Sequence, residues 1–265
     1  MDRANILVFD SGVGGVSVLR HLRRMLPQEN FLYYGDDANA PYGAKSTRQV
    51  QELTLAVAEK LLARGPAKAL VVACNTATSA AIGLLRQKYP DLIVIGIEPA
   101  LKPAADRFPG GHIGIMATRV TLREKKLSDL MARYGENCTI SCIPAPGLVE
   151  LVEQGLGNDP RTERLLRPIL EPYRGKLDAL VLGCTHYPFA ESVIAGILGE
   201  RTLLLDGGEG TARQTRRRLA EAGLLYSGEE MGTVRIEHSG DNPFFSELVR
   251  SLIIEPSHNR GVGRE

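Results

Sequence analysis

One short phrase occurs twice in this chain, and it constrains the fold more than any other feature. The first copy, V-V-A-C-N-T, covers residues 71–76, and the second, V-L-G-C-T-H, covers residues 181–186. In each copy a cysteine, Cys74 or Cys184, follows an apolar run that is typical of a buried strand. Because ligands bind at the carboxyl ends of strands in open α/β sheets, both thiols are expected to lie where chemistry takes place.

Strands and helices alternate along the chain, and the whole series occurs twice. The first series predicts strands at 6–9, 31–34, 69–73 and 93–95 and helices at 13–26, 46–63 and 77–88. The second predicts strands at 113–116, 139–143, 179–182 and 203–205 and helices at 120–134, within 147–174, and at 188–198. A βαβ order of this kind favours parallel sheets with right-handed crossovers.

The repeated series predicts an α/β fold made of two similar, doubly wound parallel-sheet domains related by pseudo-twofold duplication. Cys184 stands 110 residues after Cys74, and Thr118, which follows the first strand of the second series, stands 108 residues after Asp10. Offsets that agree this closely are the mark of a duplicated unit.

The predicted domains divide the chain at two places. Residues 1–97 plus 209–265 form the first domain, which carries Cys74, and residues 98–208 form the second, which carries Cys184. The active site is expected in the cleft between them. Within the last stretch, residues 258–265 are rich in Gly and Arg and are interpreted as a loose tail.

Charge and hydropathy restrict the partners and the location. Lys and Arg together number 32 and Asp and Glu 31, which gives a formal net charge of +1. This balance argues against nucleic acid or an anionic membrane surface as the main partner. Charged residues interrupt every apolar stretch before it reaches the length of about 18 that spans a membrane, and no cationic leader precedes the first strand. We therefore expect a cytoplasmic protein.

Each of the two repeated cysteines has a structural and a catalytic interpretation. A free cysteine is often a small buried apolar residue. Here Asn75-Thr76 and Thr185-His186 follow the thiols at predicted helix starts, and a helix dipole or a neighbouring imidazole lowers the pKa of a thiol. The sequence therefore favours two catalytic thiols. A zinc site in which His186 joins both sulfurs is an alternative.

The other two cysteines carry no such signal. Cys138 and Cys142 have three residues between them, so they form no C-x-x-C pair. Their alternating spacing in and beside a predicted strand indicates core residues. In the cytoplasm all four thiols are expected to be reduced.

A glycine-rich turn, D-S-G-V-G-G, covers residues 10–15 between the first strand and the first helix. Glycines there allow a ligand to approach backbone N–H groups at the positive end of a helix. It is no dinucleotide fingerprint, because Ser17 occupies the third glycine position. A tight turn capped by Asp10 is the structural alternative. The loop G-D-D-A-N-A-P-Y-G at 35–43, taken alone, indicates a plain turn.

Six motifs together resemble the cofactor-independent aspartate/glutamate racemase family. They are D-S-G-V-G-G, G-D-x-A-x-x-P-Y-G, A-C-N-T-A-T, A-T-x-x-T, V-E-x-G and G-C-T-H-Y-P, in this order from about residue 5 to 210. The resemblance implies interconversion of L- and D-glutamate for peptidoglycan synthesis, with no cofactor and no metal, by a protein that we expect to be a homodimer. Asn39 and Glu150 depart from the family pattern, which usually has Arg and Pro at these places.

The resemblance also implies roles for particular residues. Cys74 and Cys184 are the two proton-transfer thiols, assisted by Asp10 and His186, with Glu153 as a supporting acid near the second thiol. The implied substrate pocket consists of Asp10, Ser11, Pro41, Tyr42, Gly43, Cys74, Asn75, Thr76, Thr118, Thr121, Cys184, Thr185 and His186.

Racemisation itself explains why two thiols are needed. The α-hydrogen leaves from one face of the carbon and another arrives on the opposite face, so one cysteine must be a thiolate while the other is a thiol. Backbone N–H groups and hydroxyls at the strand ends are the available donors for the developing oxyanion. No lysine stands in a motif that would hold pyridoxal phosphate. Three alternatives stay open: a sister activity on aspartate or a malonate, a two-domain binding protein, and a zinc hydrolase.

Overall fold

The computed structural model describes residues 3–134 and 137–254, and these residues form two sheets in which all strands are parallel. The first sheet contains β1 Asn5–Asp10, β2 Phe31–Gly35, β3 Ala67–Val72, β4 Ile93–Gly96 and β9 Val234–His238. The second contains β5 His112–Ala117, β6 Thr139–Pro144, β7 Ala179–Leu182 and β8 Leu203–Asp206. The predicted class, two parallel-sheet α/β domains, is confirmed.

Helices connect the strands. They are α1 Val16–Met25, α2 Thr47–Leu62, α3 Asn75–Lys88, α4 Leu101–Arg107, α5 Arg119–Arg123, α6 Lys125–Tyr134, α7 Leu148–Glu153, α8 Pro160–Leu170, α9 Glu191–Leu198, α10 Gly208–Glu221 and α11 Phe245–Ile254. Both faces of the sheets are covered, since Ile6 and Val8 of β1 belong to one buried cluster and Leu7 and Phe9 to another. This alternation explains the continuous apolar runs from which the strands were predicted.

The strand orders reveal the duplication directly. The first four strands lie in the order β4-β3-β1-β2, and the second sheet, taken from its β8 edge, has the order β8-β7-β5-β6. Each strand of the first series therefore has a counterpart at the same place in the second. β9 extends the first sheet beside β2. The pseudo-twofold relation and the boundaries of the domains, at residues 97–98 and 208–209, stay predictions.

Two helices differ from the sequence prediction. The helix expected at 120–134 is divided into α5 and α6 at Glu124, whose backbone is extended and whose carboxylate accepts a hydrogen bond of 2.6 Å from the Thr47 hydroxyl. The helix expected at 188–198 begins with a 3₁₀ turn, Tyr187–Ala190, before α9. In both places a local contact or turn overrides the helical periodicity. The predicted tail at 258–265 lies outside the described residues.

The two domains share a continuous apolar core. One buried cluster contains Val13 and Leu19 from the first domain together with Met116 and Leu182 from the second. Met116 and Leu182 lie at the carboxyl ends of β5 and β7, and Val13 follows β1. This packing therefore brings the carboxyl ends of the two sheets' central strands close to each other. Among the described residues, no helix has the length and apolar character needed to cross a membrane.

Candidate active site

Four of the predicted site residues lie at the carboxyl ends of matching strands. Asp10 ends β1 and Thr118 follows its counterpart β5, while Cys74 and Cys184 each stand two residues after the matching strands β3 and β7. The topology therefore gives the two halves of the chain one equivalent cysteine each.

Cys74 begins a helix. It is the N-cap of α3, where its Sγ accepts a hydrogen bond of 3.4 Å from the Ala77 N–H, and it donates to the Ser11 hydroxyl across 3.7 Å. Burial, followed by the charge of Asp10, raises the pKa of the Cys74 thiol well above its ordinary value, and the contacts with Ala77 and Ser11 oppose this only in part. The helix start does lower this pKa through the Ala77 N–H, but burial and Asp10 outweigh it, so the predicted net lowering is wrong. The surroundings of Cys74 favour its neutral form.

Asp10 lies between the two domains. Its Oδ2 accepts hydrogen bonds from the Gly15 N–H and, at 3.1 Å, from the hydroxyl of Thr185, which is adjacent to the second cysteine. Burial raises the pKa of Asp10, although the positive charge of His186 counteracts this effect. Through Asp10 the surroundings of Cys74 are connected to those of Cys184.

Cys184 has a different neighbour. Its Sγ lies 3.7 Å from Nδ1 of His186, and Nε2 of the same ring lies 2.5 Å from Oε1 of Glu153. Burial alone lowers the pKa of His186, but the hydrogen bonds to Cys184 and Glu153 outweigh it, and the net pKa is raised well above the ordinary value. The surroundings of His186 therefore favour the imidazolium form, and its two ring nitrogens face a sulfur and a carboxylate. The α-helix expected directly after this cysteine is instead the 3₁₀ turn at 187–190.

The glycine-rich turn makes room for these side chains. Glu153 Oε1 also accepts a hydrogen bond of 2.8 Å from the Val13 N–H. A Cβ on Gly12 would overlap the Glu153 carboxylate, and a Cβ on Gly14 would overlap the His186 ring. Glycine is therefore required at both positions so that the second domain can approach the turn. The sequence had suggested that these glycines allow the approach of a ligand.

A triangle of hydroxyls joins the domains on the other side of the site. Thr76 of α3 lies 3.1 Å from Thr118 and 3.3 Å from Thr121, and Thr118 and Thr121 are 3.0 Å apart, measured between the Oγ1 atoms. Beside them, Asn75 is buried, and among the described residues neither end of its amide has a hydrogen-bond partner. An unpaired buried amide is costly, so Asn75 is available for a ligand.

The loop with Pro41, Tyr42 and Gly43 lies against the second domain. Tyr42 is buried and begins a 3₁₀ turn, and a Cβ on Gly43 would lie 2.8 Å from the Thr118 side chain. Among the predicted site residues, the structure thus brings Asp10, Gly43 and Thr76 of the first domain against Thr185, Thr118 and Thr121 of the second.

Sequence reasoning missed two further contacts in this region. The Tyr33 hydroxyl, buried in β2, donates to the Gly12 carbonyl across 2.6 Å, and Asp36 accepts from the Tyr42 hydroxyl. In the sequence Tyr33 shows only a buried strand position, so no pattern reveals its contact.

Cys142 differs from the sequence prediction, which made it a core residue. It is exposed, because β6 is an edge strand, and its thiol is 3.7 Å from the Met131 sulfur.

Comparison with known proteins agrees with this geometry. The model of the family described as Asp/Glu/hydantoin racemase matches residues 6–215. The chain belongs to the Asp/Glu/hydantoin racemase family. It is an amino-acid racemase, and the resemblance drawn from the six motifs is confirmed.

Within residues 3–134 and 137–254, no three His, Cys, Asp or Glu side chains are grouped so as to hold a metal ion.

The relatives are similar over almost their full length. The chain is 50% identical to a glutamate racemase of Clostridium acetobutylicum over 93% of this chain and 96% of the relative. A solved glutamate racemase of Thermus thermophilus, in complex with β-chloro-D-alanine, has a TM-score of 0.78 and 40% identity, covering 95% and 93% of the two chains. That of Escherichia coli, in complex with L-glutamate and an activator, has a TM-score of 0.81 and 34% identity, with 94% of each chain covered.

Proposed function

We propose that this racemase interconverts L- and D-glutamate by proton transfer between two cysteines, Cys74 and Cys184. One observation carries this proposal: the duplicated halves each supply a buried thiol at an equivalent strand end, and Asp10 connects their surroundings by accepting from Thr185. Two bases on opposite sides of one carbon are what inversion at that carbon requires.

The resting enzyme holds its proton on Cys74. Burial and Asp10 disfavour a charge on that sulfur, whereas a protonated His186 stabilises negative charge on Cys184. In this form Cys184 removes the α-proton of L-glutamate, and Cys74 then delivers a proton to the opposite face. The reverse reaction begins with the proton on Cys184, and Cys74 removes the α-proton of D-glutamate.

The remaining site residues stabilise the intermediate. Removal of the α-proton places negative charge on the substrate carboxylate, where hydrogen-bond donors lower the barrier, each by about 3–4 kcal/mol. Asn75 has an unpaired buried amide, and each hydroxyl of Thr76, Thr118 and Thr121 can rotate its proton from a neighbouring threonine to a substrate oxygen. We assign these groups, with Ser11, Thr185 and the backbone at Pro41–Gly43, to substrate binding. Glu153 positions His186.

Glutamate as the substrate rests on the relatives. The Clostridium relative is a glutamate racemase by name, and the E. coli structure contains L-glutamate. With this substrate we infer a cytoplasmic role, the supply of D-glutamate for peptidoglycan, and a homodimeric assembly with domains at 1–97 plus 209–265 and at 98–208.

The test is direct. Purified protein, without pyridoxal phosphate, is given L-glutamate, and the loss of optical rotation is followed until the mixture is racemic. The same assay with L-aspartate provides the comparison, because aspartate is the substrate of a sister activity. Racemisation of glutamate alone is expected. Racemisation of aspartate alone would overturn the substrate, and failure with both would overturn the proposed function.

A further inference from the structure

A buried carboxylate next to the site has no part in the proton transfers described above. Asp36 follows β2 and is 2% exposed. Its Oδ2 accepts a hydrogen bond of 2.6 Å from the Tyr42 hydroxyl, and the Asn39 amide nitrogen lies 3.1 Å from both of its oxygens. Its own N–H donates to the carbonyl of Asp10 across 2.9 Å. Asp36 therefore connects the end of β1 to the loop that contains Pro41, Tyr42 and Gly43.

The phenol of Tyr42 points into this carboxylate. Tyr42 is 1% exposed, packs edge-on against Phe9 at 6.2 Å between ring centroids, and shares a buried cluster with Cys74. Burial, followed by the charge of Asp36, raises the pKa of Tyr42, so the phenol stays neutral and keeps its proton for this hydrogen bond. The hydroxyl is therefore bonded to Asp36 and the ring is buried. This leaves the backbone of the loop to contact a substrate.

Further contacts hold the loop at Gly43 and at Asp37. Gly43 packs against Thr118 of the second domain so closely that a Cβ there would lie 2.8 Å from the threonine side chain. On the other side of the loop, Asp37 accepts hydrogen bonds from the N–H groups of Ser239 and Gly240, at 3.1 and 2.7 Å. A loop held at Asp36 and Asp37 near its start and at Tyr42 and Gly43 near its end presents its backbone in one conformation, which lowers the entropic cost of binding.

We propose that Asp36 is a positioning residue which, through the Tyr42 hydroxyl, holds the Pro41–Gly43 backbone in the geometry that binds the substrate. This inference rests on the proposed function. Because Asp36 contacts neither thiol, it acts on binding and leaves the proton transfers alone.

The test compares Asp36→Ala, Tyr42→Phe and the double variant. We expect each single variant to raise KM for both enantiomers about tenfold, as for the loss of a hydrogen bond to a charged group, with kcat changed by less than about twofold. The double variant should resemble the single variants, because both changes break the same hydrogen bond. The increase in Tm caused by added racemic glutamate, which reports binding independently of the rate of turnover, should shrink in parallel.

Glu29→Gln is the matched control, since Glu29 is a buried carboxylate of the same domain that lies away from the site, 2.8 Å from Lys68 Nζ. It should lower Tm and leave KM unchanged. A lower Tm with unchanged KM in Asp36→Ala and Tyr42→Phe would reduce Asp36 to a structural role, and a fall in kcat alone would place it in the chemistry; either result overturns the proposal. Tyr42→Phe keeps the ring, so it decides the matter if Asp36→Ala fails to fold. An inactive wild type would instead refute the proposed function.

Discussion

The two cysteines occupy equivalent positions in the two halves of the molecule, yet their surroundings are opposite in charge. Cys74 caps an α-helix beside a buried carboxylate, Asp10. Cys184 precedes a 3₁₀ turn and lies 3.7 Å from an imidazole whose pKa is raised. The two halves thus place their cysteines at equivalent positions, and the neighbouring residues give the two thiols unlike surroundings.

This difference teaches how one site serves both directions. In the proposed mechanism the forms that accept L- and D-glutamate contain the same number of protons and differ only in which sulfur carries one. A change of pH is then expected to affect both directions alike. In this mechanism Asp10 and His186 set the preference for one form.

The largest expected effect comes from the thiols themselves. Cys74→Ser and Cys184→Ser should each lower kcat in both directions by about 10³- to 10⁴-fold, because general acid–base catalysis by a positioned group contributes on this scale and the relay needs both groups. The measurement is the initial rate of racemisation from each enantiomer. Cys142→Ser is the control, since this thiol is exposed on β6, and it should keep full activity. Substantial turnover by either active-site variant would break the equivalence of the two thiols.

A smaller and more specific effect is expected from the neighbours. His186→Asn removes the cation beside Cys184, and Asp10→Asn removes the anion beside Cys74, so both shift the proton toward Cys184. Each variant should lower kcat about 10²-fold. The ratio of KM for D-glutamate to KM for L-glutamate should fall about tenfold. Because enantiomers have equal free energies, kcat/KM must stay equal in the two directions, and kcat must change in the same ratio as KM. Unchanged KM ratios in both variants would mean that these residues only line the pocket.

The smallest effect concerns stability. Burial raises the pKa of Asp10 above 3.8, the value of an unfolded Asp, so the folded protein binds this proton more tightly than the unfolded chain does. The contribution of Asp10 to stability therefore falls as pH rises above that value. Asp10→Asn removes the penalty and should raise Tm at pH 7 by about 2–4 °C for each kcal/mol relieved, with a smaller gain at pH 4. A gain that is equal at both pH values would show that the charge of Asp10 carries no such cost.

The sequence predicted the positions of this site better than its electrostatics. The repeated phrase and the strand pattern placed Cys74 and Cys184 correctly, since buried parallel strands leave long apolar runs. The pKa of Cys74 was predicted in the wrong direction, because burial and the Asp10 charge depend on how the chain folds around the thiol. Asp36 was missed for a related reason: its partner Tyr42 lies in a loop without periodicity.

Two thiols that act on opposite faces of one carbon leave a signature that isotope exchange detects. L-Glutamate is incubated with the enzyme in D₂O, and α-deuterium is measured by mass spectrometry in the D-glutamate formed and in the L-glutamate recovered early in the reaction. Because the group that delivers the proton is not the one that removed it, the product should carry deuterium while the recovered substrate carries almost none. The same result is expected from D-glutamate. Equal deuterium in product and recovered substrate from the first turnovers would indicate a single base that serves both faces, and it would contradict the account.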